Sequence, residues 1–158
     1  MKKVFKKISA NTLSLFGVGL LPKAPGTAAS LVTAIIVYLA LPYTTPFLLS
    51  IIVITLTVLS VNLIRLYVPS PHDRKWIVID ELIGTITTYS IIGIFEKLNL
   101  TNLVAGLILF RLFDIYKPLI IKRVDQSNTP FSVIFDDILA GFFSAIIWIC
   151  IIQIFPHL

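Results

Sequence analysis

Four apolar stretches of about twenty residues follow one another along the chain, at residues 47–64, 76–95, 103–121 and 132–155. The hydrocarbon core of a bilayer, about 30 Å thick, needs roughly 20 apolar residues per helix. A fifth stretch, residues 28–41, reaches only about 21 Å as a helix and suits either a short span or part of a re-entrant element. The pattern predicts an all-α, polytopic membrane bundle with four or five spans.

The composition supports this class. Apolar residues make up 57% of the 158 positions and charged residues 13%, and the mean hydropathy is +0.96, whereas an average soluble domain is about 25% charged. The length fits one domain over residues 1–158, with a basic segment at residues 1–12. A single cysteine, Cys150, excludes both a disulfide framework and a thiolate metal cluster.

The distribution of basic residues predicts an orientation. With a cytoplasmic N-terminus and a first stretch that crosses, all cations except Lys97 lie at the inner side, which matches the positive-inside rule. The formal charge of +5 would ordinarily suggest nucleic acid as a partner, but the apolar background indicates a membrane instead. The basic and apolar start also resembles a secretory signal, but Pro22, Lys23 and Pro25 interrupt the approach to a cleavage site.

Five of the eight acidic residues lie within or at the edge of the predicted spans: Asp80, Glu81, Asp114, Asp136 and Asp137. A charge at the centre of a membrane helix costs about 2.5–3.5 kcal/mol, so such residues are functional candidates. The predicted topology places all five towards the cytoplasmic side. Carboxylates crowded at one depth repel each other unless cations compensate them, and Mg²⁺ is held by a few carboxylates, water and substrate phosphate.

Basic residues accompany these acids. Arg111, Asp114 and Lys117 are spaced to share a broad face of one helix, where two cations can bind a phosphate beside a metal-binding carboxylate. The alternative is a set of interhelical salt bridges, for example between Arg111 and Asp136. Gly84 and Gly141 each follow an acid by one turn, which predicts close helix packing.

The segment of residues 17–27 contains three glycines and two prolines, which indicates a shaped turn. Thr27 is a plausible N-cap, and the helix start beyond it suits an anion such as phosphate, although a plain connector explains the turn equally well. Cys150 lies far from the acids, His157 lies at the outer end, and His72 is expected in a solvated loop. With the cysteine and the histidines set aside, the remaining candidate chemistry is that of carboxylates and a metal acting on a phosphate.

Four motifs then resemble the bacterial phosphatidylglycerophosphatase A family: residues 21–27 (LPKAPGT), 77–84 (IVIDELIG), 110–118 (FRLFDIYKP) and 135–141 (FDDILAG). The resemblance implies a Mg²⁺-dependent inner-membrane enzyme that converts phosphatidylglycerophosphate to phosphatidylglycerol, with its active site facing the cytoplasm. Asp73 is a weaker match to an acid that often precedes the second motif.

Matching the motifs residue by residue implies the roles. Asp80, Glu81, Asp136 and Asp137 are expected to hold one or two Mg²⁺ ions and, with Asp114 as a further ligand or general base, to form the catalytic set. The expected phosphate-binding residues are Lys23, Gly26, Thr27, Arg111 and Lys117. A water activated by the metal and an attacking aspartate remain alternative nucleophiles. The alternative functions are a small ion- or proton-coupled carrier and a lipid phosphatase of different headgroup specificity.

Overall fold

A computed structural model describes residues 2–68, 75–127 and 129–155, with side chains from residue 7 onward. These residues form seven α-helices and no strand, which confirms the predicted all-α class. The helices are α1 (Lys2–Leu13), α2 (Pro25–Ala40), α3 (Pro46–Tyr67), α4 (Ile79–Phe95), α5 (Leu100–Tyr116), α6 (Ile120–Asp125) and α7 (Ser132–Ile154). The predictions made for His72, Asp73 and His157 lie outside the described residues.

Within the described ranges, three segments are long and apolar enough to cross a membrane: Pro25–Tyr43, Pro46–Tyr67 and Ser132–Ile154. The first of them extends the predicted short stretch at both ends, because α2 begins at Pro25 and a 3₁₀ turn, Leu41–Tyr43, continues it. Helices α4 and α5 have 17 residues each. The chain is thus a membrane protein by composition and helix length, and the number of spans stays a prediction.

Helix α4 is the centre of the bundle. It packs most extensively against α7 and also contacts α2, α3 and α5. Gly84 on α4 and Gly141 on α7 permit this close approach, because a Cβ at Gly84 would lie 2.7 Å from the Asp137 carbonyl oxygen and one at Gly141 would collide with the Gly84 carbonyl. The helix starts that carry the acidic pairs are therefore adjacent.

The predicted stretch of residues 103–121 is not one helix. Helix α5 ends at Tyr116, Lys117 has a left-handed φ of 42°, and α6 begins at Ile120. The break has a local cause, since Pro118 supplies no N–H and disfavours α geometry at the residue before it. Lys117 therefore does not share the α5 face of Arg111 and Asp114, which corrects the prediction from spacing.

The start of α2 also differs from the expectation. Ala24, with a φ of 46°, occupies the N-cap position, and Pro25 is the first helical residue. Proline suits that position because its φ is preset and the N–H that it lacks would have no partner within the helix. Thr27 therefore lies in the first turn of α2 and is not the N-cap.

Candidate active site

The acidic residues of the predicted spans meet at one end of the bundle. Asp80 and Glu81 lie in the first turn of α4, where the helix dipole favours negative charge. Asp136 and Asp137 lie near the start of α7, and Asp114 lies near the end of α5. Because α2, α4 and α7 begin at this end and α5 finishes there, side chains from four helices converge.

Three of these carboxylates form a compact group, which we call the carboxylate trio: Glu81, Asp114 and Asp137. One oxygen of each lies within 4.8 Å of the other two. Asp137 is only 4% exposed, and its Oδ2 is buried with no hydrogen-bond partner among the described residues. Two of the expected metal ligands, Glu81 and Asp137, belong to the trio, whereas Asp80 and Asp136 do not.

Arg111 binds two members of the trio, and we call this group the arginine cluster. Its Nη1 forms ion pairs with Glu81 and, at 2.9 Å, with Asp114. The hydroxyls of Thr27 and Ser30 on α2 each lie 3.4 Å from the guanidinium. The first turn of α2 thus contacts the trio through the arginine.

Gly26 allows this contact between α2 and the trio. A Cβ at this position would collide with the Glu81 carboxylate and would lie 3.5 Å from Arg111 Nη1. The Ser30 hydroxyl, one turn further along α2, lies 3.3 Å from Glu81 Oε2. Only a residue without a side chain fits at position 26 while α2 keeps this approach.

A second cation forms the lysine cluster. Lys117 Nζ donates to Asp125 at 2.7 Å and to Asp136 at 2.5 Å. Burial lowers the pKa of Lys117, but the bonds to Asp125 and Asp136 outweigh burial and raise the pKa above its ordinary value, so the ammonium stays charged. Lys117 thereby joins the break after α5 to both α6 and α7.

These ion pairs show that the salt-bridge interpretation holds for some of the acids but not for all of them. The suggested pair of Arg111 with Asp136 is wrong, because Arg111 binds Glu81 and Asp114 while Lys117 binds Asp136. Within the described ranges, Asp80 and Asp137 have no ion-pair partner. Asp80 accepts a hydrogen bond from the Glu81 backbone N–H at 3.0 Å. Salt bridges therefore account for some of the acids, and Asp137 remains buried and uncompensated.

An open cleft of about 320 Å³ leads to the arginine cluster. It is lined by residues 24–27, Lys75, Ile77, Val78, Glu81 and Arg111. Lys23 is exposed beside the cleft and makes no hydrogen bond or ion pair with the part of the chain that the structure describes. A phosphate that enters the cleft would meet the guanidinium and the first turn of α2.

Three residues at the site were missed by the sequence reasoning: Ser30, Lys75 and Asp125. Ser30 had a signal, since it is a polar residue in an apolar run and follows Gly26 by one helical turn. Lys75 was counted only as an inner-side charge. Nothing in the sequence around Asp125 distinguishes it from a solvated loop acid.

The carboxylate trio fits a divalent cation. Its three acids and Arg111 carry two net negative charges when ionised, which one divalent ion would neutralise. Oxygen ligands of Mg²⁺ and Ca²⁺ bind at about 2.0–2.6 Å, so oxygens within 4.8 Å of one another can share an ion after small adjustments. The unpartnered Oδ2 of Asp137 is the strongest indication, because a buried charge requires a partner or a metal.

Comparison with known proteins relates the whole bundle to lipid phosphatases. The family Phosphatidylglycerophosphatase A matches residues 12–152. A Haemophilus influenzae protein named "Phosphatidylglycerophosphatase A" is 30% identical over 140 residues, which cover 84% of this chain and 81% of the relative. A Bacteroides thetaiotaomicron protein named "Putative phosphatidylinositol-3-phosphatase" is 29% identical over 138 residues, covering 84% and 86% of the two chains. No solved structure matches.

Proposed function

Because the chain belongs to the phosphatidylglycerophosphatase A family, we propose that it hydrolyses phosphatidylglycerophosphate to phosphatidylglycerol and inorganic phosphate with Mg²⁺ as its cofactor. Membership of this family supports the assignment of the chain as a lipid phosphatase. The identity of the substrate and of the metal is our proposal. The single observation that carries the proposal is the carboxylate trio, with its unpartnered Asp137 oxygen, beside Arg111 and the open cleft.

The trio would hold the metal. Glu81, Asp114 and Asp137 supply one carboxylate each from α4, α5 and α7, so the ion would join three helices. A bound Mg²⁺ polarises phosphoryl oxygens and makes a water a stronger nucleophile at neutral pH. We place Asp80 and Asp136 beside the metal site rather than in it, because Asp80 accepts a hydrogen bond from the Glu81 backbone and Asp136 is held by Lys117.

Arg111 and the start of α2 would bind the phosphate. The guanidinium lies at the wall of the cleft, and its Nε has no hydrogen-bond partner among the described residues. Gly26 and Thr27 present first-turn backbone N–H groups, which have no partner within a helix. Lys23 adds positive charge at the edge of the cleft. Lys117 does not line the cleft, and it binds Asp125 and Asp136, so we assign it to the support of the site rather than to the phosphate.

The site would face the cytoplasm from the bacterial inner membrane. Described cations at the end of the bundle that carries the trio include Arg65, Lys75, Lys122 and Arg123, whereas Lys97 lies at the opposite end. This asymmetry supports the orientation by the positive-inside rule. The acyl chains of the substrate would stay in the bilayer while the headgroup enters the cleft.

A different headgroup is the second candidate, and the name of the Bacteroides thetaiotaomicron relative favours a phosphoinositide. Both lipids present a phosphate monoester to the same groups, so the trio and Arg111 do not distinguish them. The carrier alternative is disfavoured, because the matching family is named for a phosphatase and the acids lie at one end of the bundle rather than at its middle.

The test measures phosphate release by the purified protein from phosphatidylglycerophosphate, phosphatidylinositol 3-phosphate and phosphatidic acid, with Mg²⁺ and with EDTA. Release that requires Mg²⁺ and favours the first lipid is expected. Glu81→Gln should abolish release, whereas the matched control Glu96→Gln, at the opposite end of α4, should retain it. Equal release in EDTA would contradict the proposed Mg²⁺ dependence. Preference for another lipid would contradict phosphatidylglycerophosphate as the substrate.

A further inference from the structure

An apolar groove follows the seam between α2 and α5. It is lined by four residues of each helix: Leu31, Ala34, Ile35, Tyr38, Leu100, Leu103, Val104 and Leu107. Its volume is about 170 Å³. Ala34 and Leu103 form its buried floor, at 9% and 2% exposure, so the groove is a concave feature between two ridges.

The groove lies one helical turn from the cleft along the same two helices. Thr27 precedes Leu31 by one turn on α2, and Arg111 follows Leu107 by one turn on α5, so each pair shares a helix face. Thr27 and Arg111 themselves touch across the seam at 3.4 Å, and both line the cleft. One end of the groove therefore lies one helical turn from the groups that would bind the phosphate.

The length of the seam matches one membrane leaflet. From Thr27 to Tyr38, α2 rises about 16 Å. Half of the hydrocarbon core of a bilayer is about 15 Å. A lipid whose headgroup lies in the cleft therefore has a chain that reaches about as far as Tyr38.

We propose that the α2–α5 groove binds one acyl chain of the phospholipid substrate and so aligns the headgroup with Arg111 and the carboxylate trio. This inference rests on the proposed function, because the acyl chain in the groove must belong to the lipid that the enzyme hydrolyses. The groove lining is made of apolar side chains apart from the hydroxyl of Tyr38 at its far end. Burial of methylene groups there adds binding energy in proportion to chain length.

The kinetic test compares two substrates with the same headgroup. One has acyl chains of about sixteen carbons, long enough to span one leaflet, and the other has acyl chains too short to fill the groove. Val104→Trp, at a half-exposed rim position, and Ala34→Phe, at the floor, would fill the groove. We expect the ratio of kcat/KM for the long chain to that for the short chain to fall roughly tenfold, the scale of apolar pocket discrimination.

The control is Ile36→Trp, which places the same ring on an exposed α2 residue outside the groove lining. Its ratio should stay within about twofold of the unmodified protein. If Val104→Trp and Ile36→Trp are both active and have equal long-chain to short-chain kcat/KM ratios, the groove assignment is wrong while the proposed function stands. Absence of release from either lipid by the unmodified protein would overturn the proposed function, and the groove assignment with it.

A binding measurement gives a readout that does not depend on turnover. The substrate lipid carries a photoreactive diazirine midway along one acyl chain, and the labelled peptides are identified by mass spectrometry. We expect label within residues 31–38 or 100–107, reduced by excess unlabelled substrate. If the exposed face of α3 is labelled as strongly as the groove, and excess unlabelled substrate does not reduce the label, the groove is in contact with ordinary bilayer lipid. That result would overturn the proposal.

Discussion

The arginine cluster and the lysine cluster are built alike, because each has one cation from the end region of α5 and two bonded carboxylates. Their surroundings differ. Arg111 lines the open cleft, contacts α2 hydroxyls and lies beside the uncompensated Asp137. Lys117 lies past the break in α5, where Asp125 and Asp136 bind it from α6 and α7.

This difference separates chemistry from architecture. When ionised, the trio and Arg111 carry two net negative charges and the lysine cluster carries one. The cleft gives a ligand access to Arg111 and Glu81, whereas Lys117 does not line it. The lysine cluster holds a turn in place, and its more exposed acid, Asp125, lies outside the trio. We therefore expect damage to the first group to remove activity while the fold survives, and damage to the second to act mainly on stability.

The largest effect is expected for Asp137→Asn. Loss of one carboxylate from the trio should lower kcat/KM for the lipid at least about a thousandfold, because a metal ion supplies several kcal/mol of transition-state stabilisation. The measurement is phosphate release at saturating Mg²⁺.

The same variant should lose the stabilisation by metal that the unmodified protein shows. In EDTA it should unfold at an equal or higher temperature, since a buried, unpaired carboxylate has been removed. Mg²⁺ should raise the unfolding temperature of the unmodified protein and leave that of the variant unchanged. A variant that Mg²⁺ stabilises as strongly as the unmodified protein would remove Asp137 from the metal site.

A smaller loss of activity, roughly a hundredfold, is expected for Arg111→Lys. Lysine keeps the charge but cannot bridge Glu81, Asp114 and the cleft with a planar fork of donors. Kinetics at varied lipid concentration should show the loss, while stabilisation by Mg²⁺ persists. If metal stabilisation disappears as well, Arg111 acts by organising the trio rather than by binding phosphate.

Lys117→Met should act on stability first. Asp136 is 4% exposed and would lose its cation, at a cost of about 1–3 kcal/mol. The double variant Lys117→Met/Asp136→Asn should regain most of the unfolding temperature in detergent. A double variant as unstable as the single one would show that Lys117 does not act through Asp136.

The smallest effect is expected for Asp125→Asn. Its side chain is 39% exposed, and an ion pair of this kind contributes about 0–1 kcal/mol. Activity and Mg²⁺ stabilisation should both stay close to those of the unmodified protein. A loss as large as that of Asp137→Asn would contradict the division between the two clusters.

The convergence of the acidic residues at one end of the bundle could be predicted from the sequence, because apolar length and the positive-inside rule place both helix starts on the same side. The partners of individual acids could not. Lys117 leaves the α5 face because of a break at Pro118, which shifts its charge from the cleft to Asp136 and Asp125. The contact of Ser30 with Arg111 depends on the packing of α2 against α5, which no local pattern encodes.

The most direct measurement is the number of Mn²⁺ ions, as a spectroscopic substitute for Mg²⁺, that the purified protein binds in electron paramagnetic resonance titrations. The account predicts at least one bound ion in the unmodified protein and in Asp125→Asn, and its loss in Asp137→Asn and Glu81→Gln. Unchanged binding in the two trio variants, or no binding by the folded unmodified protein, would contradict the claim that the carboxylate trio is the metal site of this lipid phosphatase.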